Sequence, residues 1–175
     1  MATIFSHALV GATIVSALPL RHRQKRNYLI GAFAAVVPDF DYIGFVSHVP
    51  YASLWGHRGL THSVIFALVC GTTCALLANR KGGIGHVGWA LIFFASTISH
   101  GLLDACTNGG LGVAFFAPYT NERYFFSHHP IQVSPMGLSF FSLRGVNVLV
   151  SEFCWIVLPC LVFIFLRKRL DRARF

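Results

Sequence analysis

The sequence predicts an all-α helical bundle embedded in a membrane, with about five spans. Three observations predict it. The chain is 55% hydrophobic and only 11% charged, with a mean hydropathy of +0.63; an ordinary soluble domain carries about 25% charge. Five apolar segments follow one another, and Phe 17 and Gly 16 enrich them in residues common in membrane helices. Basic residues gather at the ends of those segments, as topology signals do. They form no stripe within a recognisable binding module, so the net charge of +8 does not indicate a nucleic-acid partner.

The first segment runs from about Ile4 to Leu20 and contains His7. A cleaved signal is the rival reading, but the basic cluster follows the apolar stretch instead of preceding it, which argues against cleavage. Arg21, Arg23, Lys25 and Arg26 form a dense basic turn. The second segment is apolar from Tyr28 to Val37, where Pro38-Asp39-Phe40-Asp41 interrupts it. A connection with Pro50 leads to His57-Arg58-Gly59-Leu60-Thr61-His62-Ser63 and a third segment, about Thr61 to Leu77. Arg80 and Lys81 make a second basic turn.

The fourth segment, about Val87 to Leu103, ends in Ser99-His100-Gly101-Leu102-Leu103-Asp104. From Cys106 to Arg144 the chain is mixed, rich in aromatics and punctuated by Pro118, Pro130 and Pro135. It reads as interfacial or re-entrant chain. The fifth segment, about Val146 to Leu166, is the clearest span, closed by Arg167, Lys168, Arg169, Arg172 and Arg174. No internal repeat is visible, and residues 1–175 read as a single integral membrane domain. Cys70, Cys74, Cys154 and Cys160 lie within apolar runs and read as small hydrophobes; no partner is indicated for Cys106.

Charge then orients the bundle. With the two basic turns and the tail in the cytoplasm, five spans alternate without conflict, the N-terminus outside and the C-terminus inside. Only Arg58, Arg123 and Arg144 of the 14 Lys and Arg fall on the other side. At about 1.5 Å per helical residue, His7, Asp39, His62 and His100 lie roughly 20–29 Å from the basic turns. That places them at the outer boundary of a hydrocarbon layer about 30 Å thick. His57, Asp41 and Asp104 belong to the same level.

The candidate site is therefore His7, Asp39, Asp41, His57, His62, His100 and Asp104. Seven imidazole and carboxylate groups exceed what one tetrahedral ion needs and suit two ions sharing a carboxylate. Zn2+ is the expected metal, with Mn2+ or Fe as alternatives. His100 and Asp104, four apart on a helix, share one face. Asp39 and Asp41 can point the same way only from non-helical chain. His57 and His62, five apart, cannot both belong to the helix proper.

Paired metals suit phosphoester hydrolysis. Arg58 could grip a phosphate through two charge-assisted bonds, or pair with a cluster carboxylate. Asp39, Asp104 and Arg58 are the candidate catalytic residues, and Thr61 and Ser63 could orient histidines. Asn108, Arg123, His128 and His129 belong to the same region but are not assigned as ligands; His22, His48 and His86 are set aside. A site at a membrane boundary suits a phospholipid or lipid-linked substrate, its tails beside Phe115 and Phe116 or Phe125 and Phe126. The competing readings are a non-catalytic membrane protein locked by ion pairs or a structural metal, and a small ion or metal transporter. A transporter needs polar residues at several depths.

The ordered set His7, Pro38-Asp39-Phe40-Asp41, His57-Arg58-Gly59-Leu60-Thr61-His62-Ser63 and His100-Gly101-Leu102-Leu103-Asp104 resembles the YdjM-type family. Asp104-Ala105-Cys106-Thr107-Asn108-Gly109-Gly110 and Arg123-Tyr124-Phe125-Phe126 extend the likeness over nearly the whole chain. The resemblance implies a LexA-regulated, membrane-bound metal-dependent hydrolase of the cell inner membrane. It makes the same His and Asp residues the expected ligands. A fainter likeness to the zinc phospholipase C and P1-nuclease group implies phosphoester chemistry. Those enzymes use an N-terminal tryptophan as a ligand, where this chain begins Met1-Ala2-Thr3. The expected active site faces the non-cytoplasmic side.

Overall fold

A computed structural model describes residues 1–78, 83–135 and 137–173. The expected basic turn at Arg80 and Lys81, and Arg174 of the tail, lie outside the described residues. The first apolar segment yields α1, Ile4–Ser16, of 13 residues, which ends just before Pro19. The second gives α2, Lys25–Val36, whose end is forced by Pro38 into a 3-10 turn over Val37–Tyr42. A short α3, Ile43–Val46, follows.

The third segment gives α4, Val64–Leu77, capped by Ser63, whose hydroxyl accepts from the Phe66 N–H at 3.1 Å. The fourth gives α5, His86–Ala105. The fifth gives α6, Leu143–Glu152, a π turn at Phe153–Val157, and α7, Leu158–Arg172. Together these form one continuous 30-residue helix. The wide turn comes just before Pro159, which cannot donate to the carbonyl four residues back.

These lengths correct the expectation of five spans. Among the described residues, two helices are long and apolar enough to cross a membrane, His86–Ala105 and Leu143–Arg172. At 1.5 Å per residue, α1 and α4 are only about 20 Å long, short of a layer about 30 Å thick. The hydropathy pattern counted apolar runs but could not see where prolines and caps would end them. The inferred orientation, N-terminus outside and C-terminus inside, rested on five alternating spans. It falls with them, as does the placement of the cluster at the outer boundary.

Helices α1, α2, α4 and α5 pack together. Small residues set their spacing: a Cβ on Gly11 would meet the Gly31 carbonyl oxygen of α2 at 2.2 Å. A Cβ on Gly71 would meet the Phe94 nitrogen of α5 at 2.5 Å. Such close crossings are the rule where lipid supplies no hydrophobic drive between helices. The core they enclose is Val15, Ile30, Ala34, Cys74, Ala75, Trp89 and Phe93. Trp89 and Phe93 occupy the first half of α5, whereas His100 and Asp104 occupy its last turns. The long helix α6–α7 leans on α1 and leaves Phe153, Trp155, Leu161, Phe163 and Phe165 exposed.

One carboxylate fastens that long helix to α1. Glu152 is buried and accepts from the Thr3 N–H, from Thr3 Oγ1 at 2.6 Å and from Ser6 Oγ at 2.7 Å. It caps α1 from another helix, since Thr3 makes no side-chain cap of its own. Glu152→Ala is expected to cost roughly 1–3 kcal/mol for each donor stranded without a partner. A lowered thermal midpoint of the detergent-purified protein, partly restored in Glu152→Gln, is the expected reading. An unchanged midpoint in Glu152→Ala would refute the clamp.

Candidate metal centre

Five buried side chains from four stretches of chain converge. His7 comes from the first turns of α1, Asp39 from the 3-10 turn after α2, His62 from a 3-10 turn before α4, and His100 and Asp104 from the end of α5. His100 Nε2 lies 3.2 Å from Asp39 Oδ1 and 4.0 Å from Asp104 Oδ2. His62 Nε2 lies 3.7 Å from Asp104 Oδ2 and 4.0 Å from Asp39 Oδ1. The four donor atoms of Asp39, His62, His100 and Asp104 all fall within 4.8 Å of one another. His7 stacks on His100, ring centroids 3.6 Å apart, with its Nε2 3.5 Å from the other oxygen, Asp104 Oδ1.

These contacts fit a divalent cation better than they fit hydrogen bonds. Two ligands on a tetrahedral ion at about 2.0–2.1 Å stand about 3.3 Å apart, near the separations seen. Both Asp39 oxygens, His62 Nε2, His100 Nε2 and both His7 nitrogens are buried and make no hydrogen bond among the described residues. Burying that many polar atoms unpaired is costly, and a cation shared by Asp39, His62, His100 and Asp104 would take one donor atom from each. The cluster is thus able to coordinate a metal.

Asp41 and His57 stand behind this set. Asp41 Oδ1 is 2.6 Å from His57 Nδ1, and Oδ2 accepts from Thr61 Oγ1 at 2.6 Å and from the Arg58 N–H at 3.1 Å. Asp41 Oδ2 is also 3.2 Å from His62 Nδ1. Donor atoms of Asp41, His57 and His62 could themselves gather around an ion. The 2.6 Å contact is hydrogen-bond length, however, and too short for neighbouring ligands on one tetrahedral centre. Asp39 and Asp41 therefore meet opposite edges of His62, Asp39 beside His100 and Asp41 beside His57, and only Asp39 joins the converging set. Two residues of 3-10 helix turn the chain by about 240°.

Burial opposes ionisation of Asp41, but the hydrogen bonds from His57 and His62 outweigh it and hold its carboxyl well below the usual range. Burial pushes the His62 imidazole down to about 4, against the pull of Asp41. His62 is then neutral near pH 7, with its Nε2 lone pair open to a cation. Asp41→Asn is expected to weaken metal binding about 10- to 100-fold while leaving stoichiometry at saturation unchanged. A metal titration checks this; lost stoichiometry would make Asp41 a ligand.

Arg58 is fully buried. Its Nε donates to Asp104 Oδ2 at 2.9 Å, one terminal nitrogen to the Gly109 carbonyl at 2.8 Å and the other to Thr107 Oγ1 at 2.9 Å. Of the two expectations, the structure shows the pair with a cluster carboxylate; no edge of the guanidinium stands open to a phosphate. Its backbone is left-handed, φ 63°, a cost the surrounding contacts must hold in place. Gly110 makes the room: a Cβ there would meet a terminal Arg58 nitrogen and the Tyr51 hydroxyl, each at 2.8 Å.

The mixed stretch after α5 folds over the cluster as irregular chain with two isolated β-bridges, Thr107 to Ile131 and Val113 to Tyr124. Ala114 N–H donates to the Arg58 carbonyl and Val64 N–H to the Phe115 carbonyl. Arg123 binds the carbonyls of Tyr51, Ser53 and His57, holding the loop before α4. Asn108 bonds Gln132 and the Val133 N–H, while His128 packs on Trp155 and His129 on Phe125. None of these three joins the cluster.

Sequence reasoning missed Thr107, Glu152 and the chain start. Glu152 was detectable as a carboxylate inside the clearest apolar run. The Ala2 N–H donates to Asp104 Oδ1 at 2.9 Å, and the Met1 amine lies 4.0 Å from the same atom.

A family model described as the YdjM inner membrane protein matches residues 1–170. The chain belongs to the YdjM inner membrane protein family. The chain is also similar to the inner membrane protein YbcI of Escherichia coli (strain K12), 36% identical over 160 residues, covering 91% of this chain and 92% of that protein. No solved structure matches. Membership of the YdjM inner membrane protein family, with two helices long and apolar enough to cross a membrane, supports a membrane localisation. In this YdjM-family chain, the buried Asp and His set falls between His7 and Asp104, inside the matched residues.

Proposed function

We propose that the chain is a membrane-embedded metal-dependent hydrolase that cleaves a phosphoester of a phospholipid or other lipid-linked substrate. The observation that carries the reading is the buried convergence of His7, Asp39, His62, His100 and Asp104, in which both Asp39 oxygens, His62 Nε2, His100 Nε2 and both His7 nitrogens make no hydrogen bond among the described residues. Asp39, His62, His100 and Asp104 would hold one divalent cation. The second oxygen of Asp104 faces His7, so this carboxylate is the one placed to serve a second ion. The donor set suits zinc, with manganese and iron next.

When bound, such cations supply a lowered water pKa and stabilise charge on phosphoryl oxygens. The protein's own groups do the rest. Arg58 fixes the Asp104 carboxylate and balances its charge. Asp41 orients His62 through Nδ1 and leaves Nε2 for the cation. Asp39, 7% exposed, is the most open of the five, so it is the carboxylate that a substrate or a migrating proton meets. Paired cations suit phosphoester cleavage, and amide or acyl-ester hydrolysis is the alternative, since zinc polarises carbonyls too.

The test is metal analysis and turnover on protein purified in detergent. About one or two metal ions per chain are expected, with release of phosphate or headgroup from a phosphatidylethanolamine and phosphatidylglycerol mixture. His100→Ala is expected to lose both. Metal-loaded protein that turns over no phospholipid faster than His100→Ala would overturn the hydrolase reading.

A further inference from the structure

A groove of about 310 Å³ runs beside the start of α1. Its walls include Ala2, Ile4, Phe5, Tyr42, Phe140 and Phe141. We propose that this groove holds the hydrocarbon chain of the substrate, with the phosphoester head toward the cluster of Asp39 and Asp104; the assignment rests on the hydrolase reading for the identity of the head.

Three observations carry it. The groove lies beside the cluster: Met1 and Ala2 line it, and the Ala2 N–H bonds Asp104 Oδ1 at 2.9 Å. Tyr42 lines it as well, next in sequence to Asp41. The cluster thus stands behind the wall made by Met1 and Ala2, while Ile4, Phe5, Pro135, Phe140 and Phe141 make the other walls mostly apolar, the pattern of an amphiphile. The far rim opens onto apolar surface, with Phe5 74% and Phe141 84% exposed. In a membrane protein, hydrocarbon chains are the solvent for such a surface. Size agrees too: an apolar cavity of about 150 Å³ takes up benzene, so this groove accepts a chain on the order of ten carbons.

The wall opposite α1 is pinned by the Ser134 N–H, which donates to the Met1 carbonyl at 3.0 Å. This location differs from the expectation that tails lie beside Phe115 and Phe116 or Phe125 and Phe126. Those residues belong to the stretch folded over the Arg58 loop and the end of α5, and none lines the groove.

The experiment uses the full chain in nanodiscs of phosphatidylethanolamine and phosphatidylglycerol, doped with phosphatidylglycerol carrying a diazirine at one acyl end. Crosslinks should concentrate on Phe5, Phe140 and Phe141. Ile4→Trp, which fills the groove, should cut them about tenfold with metal content unchanged. Phe141→Ala, an exposed change that removes a wall, should lower them as well and guards against misfolding of the first variant. In parallel, turnover is measured on phosphatidylglycerol and on the tail-less bis(4-nitrophenyl) phosphate. Loss of lipid turnover in Ile4→Trp with the tail-less rate retained supports the groove. Crosslinks spread evenly over Leu161, Phe163 and Phe165 of α7, or lipid turnover indifferent to both variants, would overturn it while leaving the hydrolase intact. Groove crosslinks without turnover of either compound would uphold the groove as a lipid site and overturn the hydrolase.

Discussion

Asp104→Asn is expected to strip the chain of bound divalent metal. The carboxylate is fully buried and has a neighbour on every side: His62 and His100 near Oδ2, Arg58 bonded to Oδ2, and His7 and the Ala2 N–H at Oδ1. An amide keeps the shape but loses the charge and one acceptor. Loss of an outer partner weakens metal sites about 10- to 100-fold; loss of this shared carboxylate should exceed that range. The same change leaves Arg58 buried opposite a neutral group, which should cost roughly 3–5 kcal/mol. Metal content by elemental analysis and the thermal midpoint of the metal-free protein separate the two effects. Full metal content in Asp104→Asn would remove Asp104 from the ligand set.

Arg58→Met should destabilise the protein about as strongly, for the complementary reason. Asp104 would then be a buried anion without its cation, and the Gly109 carbonyl and Thr107 hydroxyl would each lose a donor. Roughly 3–5 kcal/mol is expected again. Arg58→Lys should recover only part, since an ammonium cannot reproduce three bonds from a fixed planar fork. Added metal should offset some of the loss by neutralising Asp104 in place of the guanidinium. The double change Arg58→Met with Asp104→Asn should cost less than the sum of the single changes, because each single change strands the other's partner. An additive double change would mean the pair is incidental.

The seven candidate residues were legible because none of them suits its apolar setting. A charged or imidazole group at the end of a hydrophobic run needs a partner, and that need is visible without coordinates. The i,i+4 spacing of His100 and Asp104 and the split of His57 from His62 around a turn were legible for the same local reasons. Which groups face one another was not. Asp39 and Asp41 look equivalent in sequence, yet the 3-10 turn sends one to His100 and the other to His57 and His62. Arg58 looked free for a phosphate until Gly109 and Thr107, far along the chain, took its outer nitrogens.

Hydropathy misjudged the spans because it sums over windows. Pro19, Pro38 and the Ser63 cap cut three apolar runs into helices of 12 to 14 residues, and a window average does not register a helix end. By itself, then, the sequence determined a helical membrane protein with a set of buried imidazoles and carboxylates that had to find partners. Those are consequences of composition and period, which each residue carries locally. Tertiary structure alone decided the division of the seven residues into a converging five and a supporting pair, and the capture of Arg58 by Asp104. Each depends on where helices stop and how closely Gly11, Gly31 and Gly71 let them approach, which sets the distance between atoms remote in the chain.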